Sequence, residues 1–264
     1  MSVTMRCDIL TLFPEMIAPV LGQSILKRAQ DKGLLDVRVR NLREYTADKH
    51  QVADDTPYGG GAGMVMKAEP VFRAVDALRA EYGEQEPLRI LLPSPQGRPL
   101  SHRLAEELRD ETRRLVFICG HYEGLDERIK IGLQADEISI GDYVLTGGEL
   151  PALVIVDAVV RLIPGVLGHA DSAHQDSFVD SILDYPQYTR PPDVRGLTVP
   201  EVLLSGNHEV IRRWRRKEAL RNTYLKRPDL LRDRELSADD RRLLDEIVNE
   251  SSGRTRVPCG EEEG

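Results

Sequence analysis

Residues 115–128, LVFICGHYEGLDER, run from an apolar stretch through a glycine turn into the start of a helix. Consecutive apolar positions bounded by turn residues read as a strand buried on both faces. Gly120 lets the backbone turn tightly and approach a ligand with no β-carbon in the way. Asp126 stands where a helix N-cap belongs, with Glu127 in the first turn and Arg128 behind it. That is sufficient structural reason for all three. Tyr122 and Glu123 are not needed for the cap, and an aromatic with a carboxylate at such a turn suits a ligand pocket.

The same pattern recurs on both sides. Residues 88–92 are apolar and stop at Pro93, before SPQGR at 94–98. Residues 136–140 form a short strand before IGDYVLTGGELP at 140–151, whose Gly141, Gly147 and Gly148 imply a folded loop. Strands are also expected over 5–13 and 34–42. Helices are expected from Pro14 to about residue 31, over 69–80, 101–109 and 126–133, and over the apolar run 148–162. Strands alternating with helices give an α/β fold with a mostly parallel sheet. Three glycine turns in one such domain suggest a single pocket lined by main chain, suited to the donor–acceptor edge of an adenine. The run YGGGAGM at 58–64 fits neither G-x-G-x-x-G nor GK[ST], so it reads as a loop able to close over a ligand.

The 264 residues, 41% hydrophobic and 30% charged, suit a globular protein with a sizeable core. Cys7, Cys119 and Cys259 make no CxxC pair and fit a reducing cytoplasm. The first ten residues lack a signal-peptide pattern, and no apolar run reaches membrane-spanning length. Net charge is −8, which by itself argues against a nucleic-acid partner. Residues 207–236, however, hold ten Lys/Arg against five Asp/Glu. This is either a directed basic patch or a solvated helix face with internal ion pairs. Arg212, Arg213, Arg215, Arg216 and Lys217 read as a near-continuous basic face for RNA, with Trp214 inside it as a core anchor of a small helical domain. Residues 164–198 carry four prolines and little periodicity. The expected organisation is a cofactor-binding α/β domain (1–163), a flexible linker (164–198), a helical RNA-binding domain (199–249) and a disordered tail (250–264).

Together with LFPEM at 12–16, DDTPYGGGAGM at 54–64, IPGVLGH at 163–169 and LLSGNHEVIRRWR at 203–215, the three glycine runs resemble the bacterial tRNA guanine-N1 methyltransferases. These act on the guanosine at position 37, beside the anticodon. The resemblance spans residues 5–249. It implies a deep trefoil knot in the sheet domain, a small all-α C-terminal domain, a homodimer, a tRNA substrate and S-adenosylmethionine as methyl donor. Neither DNA nor a membrane is an expected partner. It further implies that Ser94, Pro95, Gly120, Tyr122, Glu123, Ile140, Gly141, Tyr143, Leu145, Gly147, Gly148 and Pro151 hold the cofactor. The sequence departs from the family at Leu92 and Pro93, where an aromatic and then Leu are usual, and at His121, where many members carry Arg.

N1 of guanine is protonated at neutral pH, so the chemistry needs a base for that proton and a donor for the charge growing on O6. On the residues alone, Asp176 is one of several loop carboxylates and Arg161 could pair with Asp157. The resemblance assigns the base to Asp176 and the O6 contact to Arg161. It also implies Mg²⁺, with Glu123 and Asp176 as ligands, and a part for Asp184 and Asp54 in recognising the RNA. Two other readings share the motifs: a related enzyme that methylates a ribose hydroxyl, and a catalytically silent RNA-binding module.

Overall fold

Alternation along the strands sets the architecture of the first unit. β1 (Met5–Thr11), β2 (Leu35–Asn41), β5 (Leu88–Pro99), β6 (Arg114–Ile118) and β7 (Asp136–Ser139) form one parallel sheet in the order β2-β1-β6-β5-β7. Successive side chains point to opposite faces of a strand. Cys7, Ile9, Leu91, Leu115 and Phe117 therefore pack one way, and Leu10, Ile90, Leu92, Val116 and Ile118 the other. The first face is covered by α1 (Pro14–Leu21), α2 (Ser24–Asp31), α4 (His102–Arg109) and α6 (Glu149–Val160); the second by α3 (Ala68–Tyr82) and α5 (Glu127–Leu133). Burial on both faces is what makes residues 115–118 continuously apolar. A two-residue hairpin, β3 (Asp54–Asp55) with β4 (Val65–Met66), carries the glycine loop at its tip. The computed structural model describes residues 5–168, 176–232 and 235–253. The chain divides into two compact units, Met1–Ala170 and Asp171–Gly264.

Two expectations for the first unit need correction. The helix expected from Pro14 to residue 31 is two helices. α1 closes on Gly22, whose N–H donates to the Ala18 carbonyl, and the extended backbone at Gln23 separates it from α2. β5 does not stop at Pro93. It bulges out between Pro93 and Arg98 and resumes beside β7, so Ile138 faces both residues. Gly97 permits this, because a β-carbon there would run into the backbone of Glu137 and Ile138.

In the second unit, residues 176–192 are irregular and lead to a hairpin, β8 (Asp193–Val194) with β9 (Leu197–Thr198). Among the described residues four helices follow: α7 (Glu201–Leu204), α8 (His208–Lys226), α9 (Asp229–Arg232) and α10 (Ala238–Gly253). Its core is Ile182, Ala219, Leu220, Leu243 and Ile247. The expected linker thus supplies a core residue, Ile182, and the Leu183 N–H donates to the buried Thr223 hydroxyl at 2.8 Å. α10 runs to Gly253, so the first residues of the expected tail are helical. Residues 254–264 lie outside the described residues, as do Asp171, His169 and Cys259.

Candidate functional site

The runs at 120–128 and 140–151 follow the carboxyl ends of β6 and β7, and the run at 94–98 is the bulge of β5, which lies between those two strands in the sheet. They close around one cavity of about 300 Å³. All twelve residues expected to hold a cofactor line it: Ser94 and Pro95; Gly120, Tyr122 and Glu123; Ile140, Gly141, Tyr143 and Leu145; Gly147, Gly148 and Pro151. Leu92, Pro93 and His121 line it too, so the departures from the family pattern fall on the cavity wall.

Main-chain contacts lock the turns to each other. The Gly148 N–H donates to the Gly120 carbonyl at 2.7 Å, and His121 bridges Gly147 in antiparallel fashion. A β-carbon on Gly148 would stand 2.8 Å from the Cα of Cys119. Gly141 adopts φ +150°, and a β-carbon there would meet the ring of Tyr143. Tyr122 sits at φ +59°, an uncommon conformation for a non-glycine residue, and is exposed toward the cavity. Asp126 caps α5 as expected: its carboxylate accepts from the Arg128 N–H at 3.0 Å and pairs with the Arg128 guanidinium, which holds it below the usual carboxylate range.

The glycine loop is brought to the same place. The Glu123 N–H donates to the Met64 carbonyl at 3.1 Å, and Met66 exchanges backbone bonds with Gly124 and Asp126. A β-carbon on Gly63 would lie 2.5 Å from the Glu123 carboxylate, so a glycine there lets that carboxylate lie across the loop. Asp54 lies on β3, paired opposite Met66.

A buried polar cluster beneath the turns gave no sign in the sequence reading. Glu149, in the first turn of α6, is fully buried. One of its oxygens accepts from the Thr11 hydroxyl at 2.7 Å. The other lies 3.7 Å from His121 Nδ1, and neither atom has a hydrogen-bond partner among the described residues. A helix N-terminus favours a carboxylate in this position. Burial, and then Glu149, push the neighbouring Cys119 thiol well up, so it behaves as a small hydrophobe. At the mouth, Lys130 bridges Glu137 at 2.5 Å and Glu127 at 3.6 Å.

The two residues expected to do chemistry lie in different units. Arg161 is half-buried at the C-cap of α6, its N–H donating to the Asp157 carbonyl at 3.2 Å. Asp176 is half-buried in the second unit, where its carbonyl accepts from the Val179 N–H. Asp184 serves a turn: its carboxylate accepts from the Tyr185 N–H at 2.7 Å and from Gln187 at 3.3 Å.

The five cations of α8 are not a free basic face. Successive helical residues step by about 100°, so the five spread over about 200° of the helix circumference, and most are answered by carboxylates. Arg212 pairs with Glu209 one turn back. Arg213 and Lys217 reach Glu246 at 2.6 and 2.7 Å, and Lys217 also reaches Glu250. Arg216 binds Asp240 and Asp180. Arg215 instead lies 5.0 Å from the centroid of the Tyr185 ring. Trp214 is half-buried and outside the core cluster, contrary to its expected role as an anchor. No group of three His, Cys, Asp or Glu able to cage a metal occurs among the described residues, and no helix among them is long and apolar enough to cross a membrane.

A parallel sheet carrying among its loops a cavity walled by glycine turns defines an α/β protein with the form of a nucleoside-type cofactor site. The model of the tRNA (Guanine-1)-methyltransferase TrmD family matches residues 5–233, and the chain belongs to that family of S-adenosylmethionine-dependent methyltransferases. It is 58% identical over 246 residues to the tRNA (guanine-N(1)-)-methyltransferase of Dictyoglomus turgidum, covering 93% of this chain and 98% of that protein. It is 57% identical over 251 residues to that of Moorella thermoacetica (95% and 100%), and 58% identical over 245 residues to that of Bacillus licheniformis (93% and 100%).

Proposed function

We propose that this protein transfers the methyl group of S-adenosylmethionine to N1 of the guanosine at position 37 of tRNA. The product blocks Watson–Crick pairing beside the anticodon, which supports reading-frame maintenance. The observation that carries this reading is the convergence of three glycine turns on one cavity in a chain of this family. The residues fit the cofactor: Gly148 lets its turn lie against the backbone of Cys119 and Gly120, Gly141 leaves room for the Tyr143 ring on the cavity wall, and the main chain of 140–148 offers donors and acceptors for an adenine edge. When bound, the sulfonium supplies an electrophilic methyl group.

The remaining work falls to the protein. Asp176 removes the N1 proton, and Arg161 donates to O6 as negative charge grows there. Water is kept from the base by the glycine loop, which is fastened to the turn at Glu123. Mg²⁺ commonly keeps most of its waters and takes only one or two carboxylates. Glu123, exposed on the cavity rim, fits that mode, and Asp176 is assigned as the second ligand. Asp54, on the hairpin that carries the loop, and Asp184 take part in recognising the RNA, and the cations of α8 attract its phosphates.

The reading includes a homodimer, and the outer face of α6 supports it. That face leaves Leu150 and Val154 exposed, beside a shallow hollow lined by Pro19, Val20, Ile25 and Leu26. Asp157 also lines that hollow, so the outer face is apolar but for one carboxylate, and a second copy of the chain would cover Leu150 and Val154. Asp176 and Arg161 would then meet over the guanine across two subunits. The finer fold is the trefoil knot of the family, followed by a helical RNA-binding domain, and the protein works in the cytoplasm. Transfer of labelled methyl groups to tRNA transcripts tests the reading: guanosine at position 37 is methylated at N1 and adenosine at that position is not. Equal transfer to both, or methylation of a ribose hydroxyl, contradicts it.

A further inference from the structure

The second unit contains a groove of about 800 Å³ that the methyl-transfer site does not use. One wall is the irregular segment 185–192, and the other comes from α7 and the first half of α8. Tyr185, Tyr188 and Trp214 give it aromatic surface; Tyr188 is exposed, with its ring centroid 6.4 Å from that of Trp214. The charge on its lining is one-sided. Arg190 and Arg215 line it and no Asp or Glu does, in a chain whose net charge is −8. The cations of α8 beside Arg215 are matched to carboxylates, whereas the contact of Arg215 is the face of Tyr185.

Resting on the RNA-methylation reading, we propose that this groove takes one unpaired nucleotide of the tRNA, its base against Tyr188 and Trp214 and its phosphate on Arg215. Aromatic side chains accept the face of any base that has left its stack, and an arginine beside them pairs with the phosphate. Base-paired RNA keeps its bases stacked inside the helix and offers nothing to the rings. An apolar peptide would remove two guanidinium groups from water and return no partner. The groove thereby adds a specific RNA contact beside the general attraction of the α8 cations for phosphate.

Trp214 is the only tryptophan of the chain, so its emission reports on the groove. The full chain is titrated with a short single-stranded oligoribonucleotide, with the same sequence as a duplex, and with a tRNA transcript. The single strand and the tRNA quench Trp214 saturably, and the duplex does not. Tyr188→Ala weakens tRNA binding by about tenfold or more, while Tyr188→Phe, which keeps the ring, retains it. Arg215→Ala lowers the slope of log affinity against log salt by about one. Equal quenching by the duplex, or undiminished affinity in Tyr188→Ala, overturns the proposal. So does an emission change on protein concentration alone that tracks association in sedimentation, which would give the groove to a second copy of the chain. Wild-type methyl transfer measured on the same preparation separates the two readings. Transfer without a Trp214 response removes the groove and leaves the enzyme, and absence of transfer removes the enzymatic reading itself.

Discussion

A β-carbon on Gly148 would stand 2.8 Å from the Cα of Cys119 and 3.0 Å from the Gly120 N–H nitrogen, both backbone atoms with nowhere to move. Gly148→Ala therefore forces apart the turns that Gly148 and Gly120 tie together. Overpacking of this kind costs about 1–3 kcal/mol. Most of the loss is expected in cofactor affinity, read by calorimetry, with a smaller fall in melting temperature. Asp176→Asn is expected to lower turnover by about 10²–10⁴-fold, the usual worth of a general base, with the cofactor dissociation constant unchanged. Single-turnover methyl transfer alongside equilibrium cofactor binding separates the two effects. The cavity wall was legible because a glycine turn after an apolar strand is a local pattern, complete within a dozen residues. The Thr11–Glu149 contact was not, since 138 positions separate its partners and nothing near Glu149 marks it as buried. Trp214 was misplaced for a related reason. Tryptophan is usually buried, but whether a core lies beneath it depends on how α8 is turned, and the core chose Ala219, Leu220 and Thr223 instead.

Strands β1, β2 and β6 are held together by more than their ladders. Asp8 is fully buried on β1 and accepts from Arg40 of β2 at 2.8 Å, from Arg114 of β6 at 3.0 Å and from Tyr82 of α3 at 2.9 Å. Arg114 also binds Glu86 and Asp36 and lies over the Tyr82 ring. Burial, and then the neighbouring Asp8, pushes the Tyr82 phenol up to about 12. Arg114→Met leaves Asp8 buried without a principal partner and is expected to cost about 3–5 kcal/mol in denaturant unfolding. The pairing of α8 with α10 is a different kind of contact, exposed and dependent on pH. Lys217, and then Arg221, hold the Glu250 carboxyl down to about 2. A depressed carboxyl contributes stability above its unfolded value near 4.5, and this is lost as pH falls toward 2. Thermal melts of the second unit are expected to fall across that window, and Glu250→Gln to flatten the dependence. The pairing itself could not be seen in sequence. The charge excess of residues 207–236 was legible, but the carboxylates that answer it stand on α10, beyond the segment counted.

At the scale of the molecule, the α/β order was written in the alternation of apolar strands with helical patterns, and the strand order was not. Which strands lie side by side depends on long-range pairing that no local pattern records. The exposed face of α6 carries the expectation of a homodimer. Leu150→Asp with Val154→Asp is expected to shift the protein to monomer in sedimentation and to remove methyl transfer, because the base and the O6 donor would no longer meet. Retained transfer by a monomer would place both residues over the guanine within one chain. The three glycine turns converge on one cavity, and the proposal that this cavity holds the methyl donor is central. Calorimetric titration of the wild-type protein with S-adenosylmethionine tests it most directly, run beside Gly141→Ala, whose φ of +150° and Tyr143 neighbour leave no room for a side chain. Saturable binding to the wild type and a large loss in the variant are the expected results. No saturation in the wild type, even with tRNA present, or equal binding to both proteins would contradict the account.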